Sequence, residues 1–367
     1  MIHQKSKGGF LMSKKVIAVV FGGVSSEHDV SKVSAETVIK NLNPEKYTIL
    51  PVYITETGEW KLYEGPIESI TSGSWARYAP TCIISPDRAH KGLIRIVGDK
   101  LKVIPVDLVY LVLHGANGED GTIQGLLELA GLPYVGCGVL SSAVSMNKAF
   151  TKIVVEKLGI AQAEYVTTHK YEIENDVNAV MDKIEEKCKY PVFVKPACAG
   201  SSVGITKAHN RDELVDGLWL ACEHDRTIVI EQGIEGRELE CAVLGNGDEI
   251  QASTVGEILA AEEFYSYDAK YNNADSKTVL PAKLPKGKLE EIQKAAVAIF
   301  KALDGMGLSR VDFFMEKGTN KVIFNEINTL PGFTPISMYP MLFNHAGYST
   351  EELVDKIVEL GLDRYNG

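Results

Sequence analysis

GLSRVDFFMEKGTNKVIFNEINTLPGF, residues 307–333, decides the fold. It reads as a β-hairpin: Leu308 to Met315 is one strand, residues 317–320 are turn chemistry, and Lys321 to Asn328 is the return strand. Alternate side chains of a strand share a face. Arg310 and Asp312 therefore point one way, and so do Glu326 and Asn328. A guanidinium, two carboxylates and an amide then meet at the ends of two paired strands, among Val311, Phe313, Met315, Val322, Ile323 and Phe324. Bare carboxylates in such surroundings are costly to desolvate and repel each other. A hard divalent cation removes both problems, and a small oxygen-only donor set suits Mg²⁺ that also carries substrate phosphates. The segment alone is also compatible with a solvated hairpin edge, so the rest of the chain has to choose.

At 367 residues the chain exceeds one typical core and implies two or three domains. A net charge of −11 leaves no basic excess to neutralise a phosphate backbone, so no nucleic-acid partner is expected. Anionic substrates must then be met by local Lys, Arg and backbone N–H groups. The cysteines at 82, 137, 188, 198, 222 and 241 form no CxxC pair and no zinc spacing. They read as free thiols in a reducing cytoplasm. No apolar run reaches the roughly 18 residues of a membrane span, and VIAVVFGG (16–23) after Lys14-Lys15 reads as a first buried strand, not as a signal peptide. Residues 1–11 read as a disordered extension or a cloning remnant before a native start at Met12.

The first third alternates strand and helix: strands over 16–21, 48–54 and 107–113, helices over 31–42 and 121–130, and an irregular, hairpin-containing excursion over 55–100. The pattern predicts a parallel α/β sheet with functional loops at strand C-terminal ends. A second unit follows, with a helix over 141–158, a strand near 163–168, a helix near 176–187 and the strand PVFVKP. The third holds TIVIE, ELECAV, the hairpin, a helix over 289–303 and a terminal helix capped by Ser349 with Glu352. Domains are expected at 13–138, 139–226 and 227–367.

KPACAGSSVG (195–204) follows an apolar strand. Its small residues let backbone N–H groups close over an anion, although a plain hairpin loop has the same composition. Lys148 and Lys195 are the natural cations for triphosphate oxygens. VIEQGIEGRE (229–238) places Glu231 at a strand end, where it can face an adenine edge, and Glu238 where it can accept from ribose hydroxyls; exposed charges around a turn are the alternative. FYSYDAKY (264–271) sits in a long connection, either a lid or a packed loop. GGVSSE (22–27) and HGANGEDG (114–121) end strands of the first sheet. There Glu27 can take a substrate ammonium, or simply be an acidic residue favoured by a helix N-terminus.

Taken in order, GGVSSEHDVS, HGANGEDG, SMNK, KPACAGSSVG, FYSYDAKY, RVD and NEINTLPG resemble the D-alanine:D-alanine ligases of the ATP-grasp superfamily. The resemblance spans residue 16 to about 340. It implies an α/β ATP-grasp fold of three domains with an N-terminal parallel-sheet (pre-ATP-grasp) domain. The implied reaction joins two D-alanines with ATP, through an acylphosphate, for peptidoglycan synthesis. Asp312, Glu326 and Asn328 would bind two Mg²⁺ or Mn²⁺ ions. Lys148, Lys195, Ser202 and Lys270 would meet the phosphates, and Glu231, Ile234 and Glu238 the adenosine. Glu27 would take the first ammonium in a trio with Ser201 and Tyr271. Arg310 and the Gly332 N–H would hold the oxyanion, and Ser337 and Met338 the second substrate. His114 is a candidate for the second amine's proton. The family also implies a cytoplasmic homodimer with no membrane partner. Asn147, where the family usually has Asp, and Gln232, where many members have Lys, depart from the pattern. A D-alanine:D-serine ligase and a catalytically silent nucleotide-binding protein are the alternatives; the intact set at 310, 312, 326 and 328 argues against the second.

Overall fold

The computed structural model describes residues 13–200, 203–259 and 277–365. Its N-terminal unit is built on β1 (Lys15–Gly22), α1 (His28–Asn41), β2 (Tyr47–Ile54), β3 (Trp60–Leu62), β4 (Thr81–Ile84), β5 (Gly92–Val97), β6 (Lys100–Pro105), β7 (Leu108–Leu113) and α2 (Thr122–Ala130). The strands form one sheet in the order β6-β5-β4-β3-β2-β1-β7. Only β2-β1-β7 is parallel; β3 to β6 extend it antiparallel. The expected parallel sheet is thus its inner part, and the irregular excursion supplies the rest. β1 and β7 are buried on both faces, which is why they read as unbroken apolar runs.

The central unit comprises α3 (Val139–Met146), α4 (Lys148–Lys157), β8 (Tyr165–His169), α5 (Lys170–Lys187), β9 (Val192–Pro196), β10 (Thr206–Ala208), α6 (Arg211–His224) and β11 (Thr227–Gln232). The single helix expected over 141–158 is two. Asn147 is extended (φ −85°, ψ 98°) and its side chain accepts from the Ala149 and Phe150 N–H groups, capping α4. Asn caps as well as Asp does, so the departure from the family pattern there leaves the helix start intact. Gln232 likewise has a structural partner, its Oε1 accepting from the Lys189 N–H at 3.0 Å. The four-stranded sheet runs β10-β9-β11-β8, all antiparallel. Its pairings carry the central unit through Gln232, so the strand at 227–232 belongs here by hydrogen bonding and not with the third unit, where the expected boundary puts it.

The third unit has β12 (Gly236–Asn246), β13 (Glu249–Leu259), β14 (Lys277–Val279), α7 (Lys288–Ala302), β15 (Gly307–Glu316), β16 (Val322–Asn328), α8 (Met338–His345) and α9 (Thr350–Asp363), with sheet order β14-β13-β12-β15-β16. The predicted hairpin is β15–β16. The capping box at Ser349 and Glu352 is present. α9 returns to the first unit: Leu353, Val354, Ile357 and Val358 share one core with Ile17, Val19, Ala35 and Val38. Each buried Leu, Ile or Val among them contributes about 1.5–3 kcal/mol, and Lys46 and Tyr47 bond Asp355 at the rim. α9 and the first unit are thereby packed together, which brings the loops of the first sheet over the end of the hairpin. Among the described residues no helix is long and apolar enough to cross a membrane.

Candidate functional site

One cavity is lined from all three units. The first contributes Glu27, His114 and Glu119; the central one Ser145, Lys148 and Gly200; the third Glu240, Arg310, Glu326, Asn328, Gly332, Ser337 and Met338. Nine expected site residues meet there. Asp312 sits directly behind, while Lys195, Glu231, Ile234 and Glu238 lie outside its lining. Ser201, Ser202, Lys270, Tyr271 and the expected lid fall outside the described residues.

The hairpin register pairs Arg310 with Asn328 and Asp312 with Glu326, as the alternation requires. The Arg310 Nε–H and Nη2–H donate to the Asp312 carboxylate at 2.8 and 2.7 Å, and the Asn328 amide donates to it at 3.1 Å. Glu240, across β12, lies 3.1 Å from Arg310 Nε. Burial works against the guanidinium charge, but Asp312 and Glu240 outweigh it and raise its pKa well above the ordinary arginine value. The guanidinium is thus fixed before any substrate arrives. The donor set tests well for a hard cation. Asp312, Glu326 and Asn328 offer oxygen atoms on adjacent rungs of one hairpin, and the cavity carries four carboxyls against Lys148 and Arg310.

Lys148 opens α4, its N–H on the Ala197 carbonyl and its Nζ donating to the Ala199 carbonyl at 2.7 Å. Burial, with Lys195 nearby, lowers its pKa against the pull of Glu326 and Glu231. Lys195 donates to Glu231 Oε2 at 2.9 Å, and Lys152 lies 3.2 Å from Oε1. Burial alone would raise the Glu231 carboxyl; the two ammonium groups reverse that and hold it at about 2. Lys152 was not foreseen, although its place one turn beyond Lys148 puts both on one helix face.

On the first sheet, Glu27 precedes α1 and is 9% exposed. A Cβ on Gly115 would lie 2.6 Å from its Oε2, so the close approach and the positive φ of +72° both require glycine there. His114 Nδ1 is 2.9 Å from the Leu330 carbonyl, an acceptor, so Nδ1 carries the proton and Nε2 accepts from the Ser34 hydroxyl at 3.0 Å. Ser34 Oγ in turn accepts from the Phe333 N–H. Burial lowers the imidazole pKa against the opposing charge of Glu27. Both ring nitrogens therefore act to hold the loop that carries Gly332.

Glu119 was quoted within HGANGEDG without a role. It accepts from the Gly115 N–H at 2.8 Å and the Leu330 N–H at 3.1 Å, joining loops of the first and third units. Burial and the Glu27 charge push its carboxyl up to about 8, against those two N–H groups and Arg310. Glu240 was missed as well. Its signal was a carboxylate on alternate positions with Glu238 in an otherwise apolar strand.

Residues 16–137 match the family model for the D-ala D-ala ligase N-terminus, and residues 154–359 that for the C-terminus. The chain is 52% identical to a D-alanine–D-alanine ligase of Acetivibrio thermocellus, over 96% of this chain and 97% of the relative. It is 49% identical to that of Caldicellulosiruptor bescii, over 96% of each. Among solved structures, a VanG D-Ala:D-Ser ligase from Enterococcus faecalis superposes with a TM-score of 0.86 at 42% identity, covering 95% of this chain and 99% of that one. The D-alanine-D-alanine ligase from Coxiella burnetii gives 0.82 at 34% identity, covering 96% and 95%.

Proposed function

Because the chain belongs to the D-alanine–D-alanine ligase family, we propose that it joins two D-alanines with ATP, and that the three-unit cavity is where it does so. It is an ATP-dependent carbon–nitrogen ligase of ATP-grasp fold, and its product, D-alanyl-D-alanine, serves peptidoglycan synthesis. The observation that carries the reading of the site is the convergence of Glu27, Lys148 and Arg310, one from each unit, on one cavity.

The first D-alanine docks its ammonium at Glu27. Its carboxylate attacks the γ-phosphorus of ATP, forming the acylphosphate and releasing ADP. Lys148 and Lys195 offset the repulsion between the two anions. Asp312, Glu326 and Asn328 would hold two Mg²⁺ ions, which when bound supply Lewis-acid neutralisation of the phosphates. The amine of the second D-alanine, whose carboxylate lies at Ser337, then attacks the acyl carbon. Arg310 and the Gly332 N–H stabilise the tetrahedral oxyanion, each donor worth about 3 kcal/mol by analogy with other acyl-transfer sites. Collapse expels phosphate; the His114 Nε2 lone pair is already engaged by the Ser34 hydroxyl, so it is not placed to take the ammonium proton. Glu231, Ile234 and Glu238 meet the adenosine. Ser201 and Tyr271 join Glu27, and Ser202 and Lys270 the phosphates. We further infer a cytoplasmic homodimer, as the family implies, the cysteines being free thiols. The test is a coupled assay of ADP release with Mg²⁺ and ATP. D-alanine should support turnover with D-alanyl-D-alanine as product; equal release with L-alanine would sink the assignment.

A further inference from the structure

Around the cavity, three glycines stand where an expected ligand side chain needs the room. A Cβ on Gly115 would lie 2.6 Å from Glu27 Oε2, one on Gly332 2.8 Å from Ser337 Oγ, and one on Gly256 2.4 Å from Met338 Sδ and 2.8 Å from its Cε. The first two sit against groups already given roles. Gly256 has none. It is buried in β13, opposite Glu240 of β12, and its φ is not in the left-handed region. Any residue can adopt that backbone, so what glycine provides there is volume.

Met338 is the first residue of α8, 4% exposed, and lines the cavity beside Ser337, Ile258 and Thr278. Met338 is also part of the buried core that holds Tyr339, Leu342 and Phe333. Interiors of this kind have no spare volume for a displaced thioether. A side chain at 256 would therefore drive the Met338 tip out into the cavity, where the second substrate's side chain is read to lie.

We propose that Gly256 sets the depth of the second-substrate subsite, by letting the Met338 thioether lie back against β13 so that a methyl side chain fits in front of it. The proposal rests on the reading of Ser337 and Met338 as second-substrate contacts. Gly256 acts through Met338 and is a positioning residue; larger D-amino acids are excluded by how far the thioether protrudes.

ADP release against D-alanine at saturating ATP gives separate constants for the first and second sites. Gly256→Ala should raise the second-site constant about five- to a hundredfold, the usual range for overpacking by one methyl. The first-site constant and the ATP constant should hold within about twofold, inside the error expected for uncoupled sites. The double variant Gly256→Ala with Met338→Ala should return the second-site constant to that of Met338→Ala alone. An unchanged second-site constant, an equal rise at both sites, or no return in the double variant would overturn the proposal. Met338→Ala in the native background covers the case in which Gly256→Ala does not fold. It should shift selectivity toward D-2-aminobutyrate over D-alanine as second substrate, and unchanged selectivity would count against the proposal. A wild-type protein that makes no dipeptide from D-alanine defeats the functional reading as well, whereas one that does, with a Gly256→Ala variant kinetically identical to it, defeats this inference alone.

Discussion

Replacing Glu231 with leucine isolates the electrostatics of the buried triad. The Lys152 and Glu231 side chains are 2% and 7% exposed, and the second ammonium, on Lys195, is 14% exposed. Without the carboxylate, Lys195 can turn outward but Lys152 cannot. Holding Lys152 charged and unpaired costs about 3–5 kcal/mol, the usual cost of breaking a buried pair. Losing its proton sets a ceiling on that cost. From an ordinary lysine pKa near 10.4, deprotonation at about pH 7.5 costs roughly 3 units at about 1.36 kcal/mol each, or about 4 kcal/mol. The variant should therefore lose about 4 kcal/mol at pH 7.5.

The sign of the pH dependence follows. In the variant the unfolded chain binds the Lys152 proton and the folded chain does not, so stability rises with pH by about 1.36 kcal/mol per unit up to the unfolded pKa. At about pH 9.5 the loss should shrink to roughly 1.2 kcal/mol. A second variant, Glu231→Leu with Lys152→Met, removes both charges and should regain most of the loss at both pH values, since apolar replacement of a buried pair is close to neutral. Urea unfolding of the three proteins at the two pH values measures this. A loss below about 1 kcal/mol at pH 7.5, the range of an exposed pair, would refute the argument. So would an equal loss at both pH values.

Three further outcomes follow from the site. Asp312→Asn leaves Glu240 as the remaining carboxylate on the Arg310 guanidinium and weakens a proposed cation donor, so turnover should fall about a hundredfold or more; near-native ADP release from a folded variant would remove Asp312 from the machinery. Glu119 has its folded pKa raised to about 8, so its contribution to stability is full below the ordinary carboxyl range and is lost as pH rises toward 8. Glu119→Gln should flatten that slope and retain the bridge to Leu330, and thermal unfolding across this range, with a slope matching wild type, would show that the carboxyl is not held protonated. Competition between D-alanine and D-serine at equal concentration should yield mainly D-alanyl-D-alanine, because apolar Met338 gives a serine hydroxyl no partner; a dominant D-alanyl-D-serine peak on chromatography would overturn the reading of Met338.

What could be read from the sequence was local. The hairpin at 308–328 combined strand alternation with turn chemistry, and the register preserves the shared face of Arg310, Asp312, Glu326 and Asn328 because its one irregularity falls just beyond them, between Asp312 and Phe313. The break at Asn147 was equally local and was passed over, since apolar spacing continues through it while the capping side chain stops the helix. Glu240 and Glu119 depend on distance instead. Glu240 reaches Arg310 only through the β12–β15 pairing. Glu119 reaches Leu330 only because α9 packs the third unit onto the first. No spacing along the chain encodes either contact.

Those two residues change the charge balance that the sequence motifs alone suggest. Among the cavity-lining residues given roles from the sequence, Glu27 and Glu326 stand against Lys148 and Arg310, a neutral set. Adding Glu240 and Glu119 gives four carboxyls against two cations in one cavity. A site that must admit a triphosphate beside a substrate carboxylate cannot carry that excess unrelieved. Two features reduce it by different means. Glu240 is absorbed by Arg310, whose guanidinium serves it and Asp312 together. Glu119, whose partners among the described residues are backbone N–H groups, is relieved by staying protonated near neutral pH. On the proposed reading, Glu27 serves the ammonium, and Glu326 together with Asp312 serves the divalent ions. Loss of the Glu119 proton above about pH 8 would place a second anion beside Glu27, strengthening the hold on the ammonium while repelling the carboxylate attached to it.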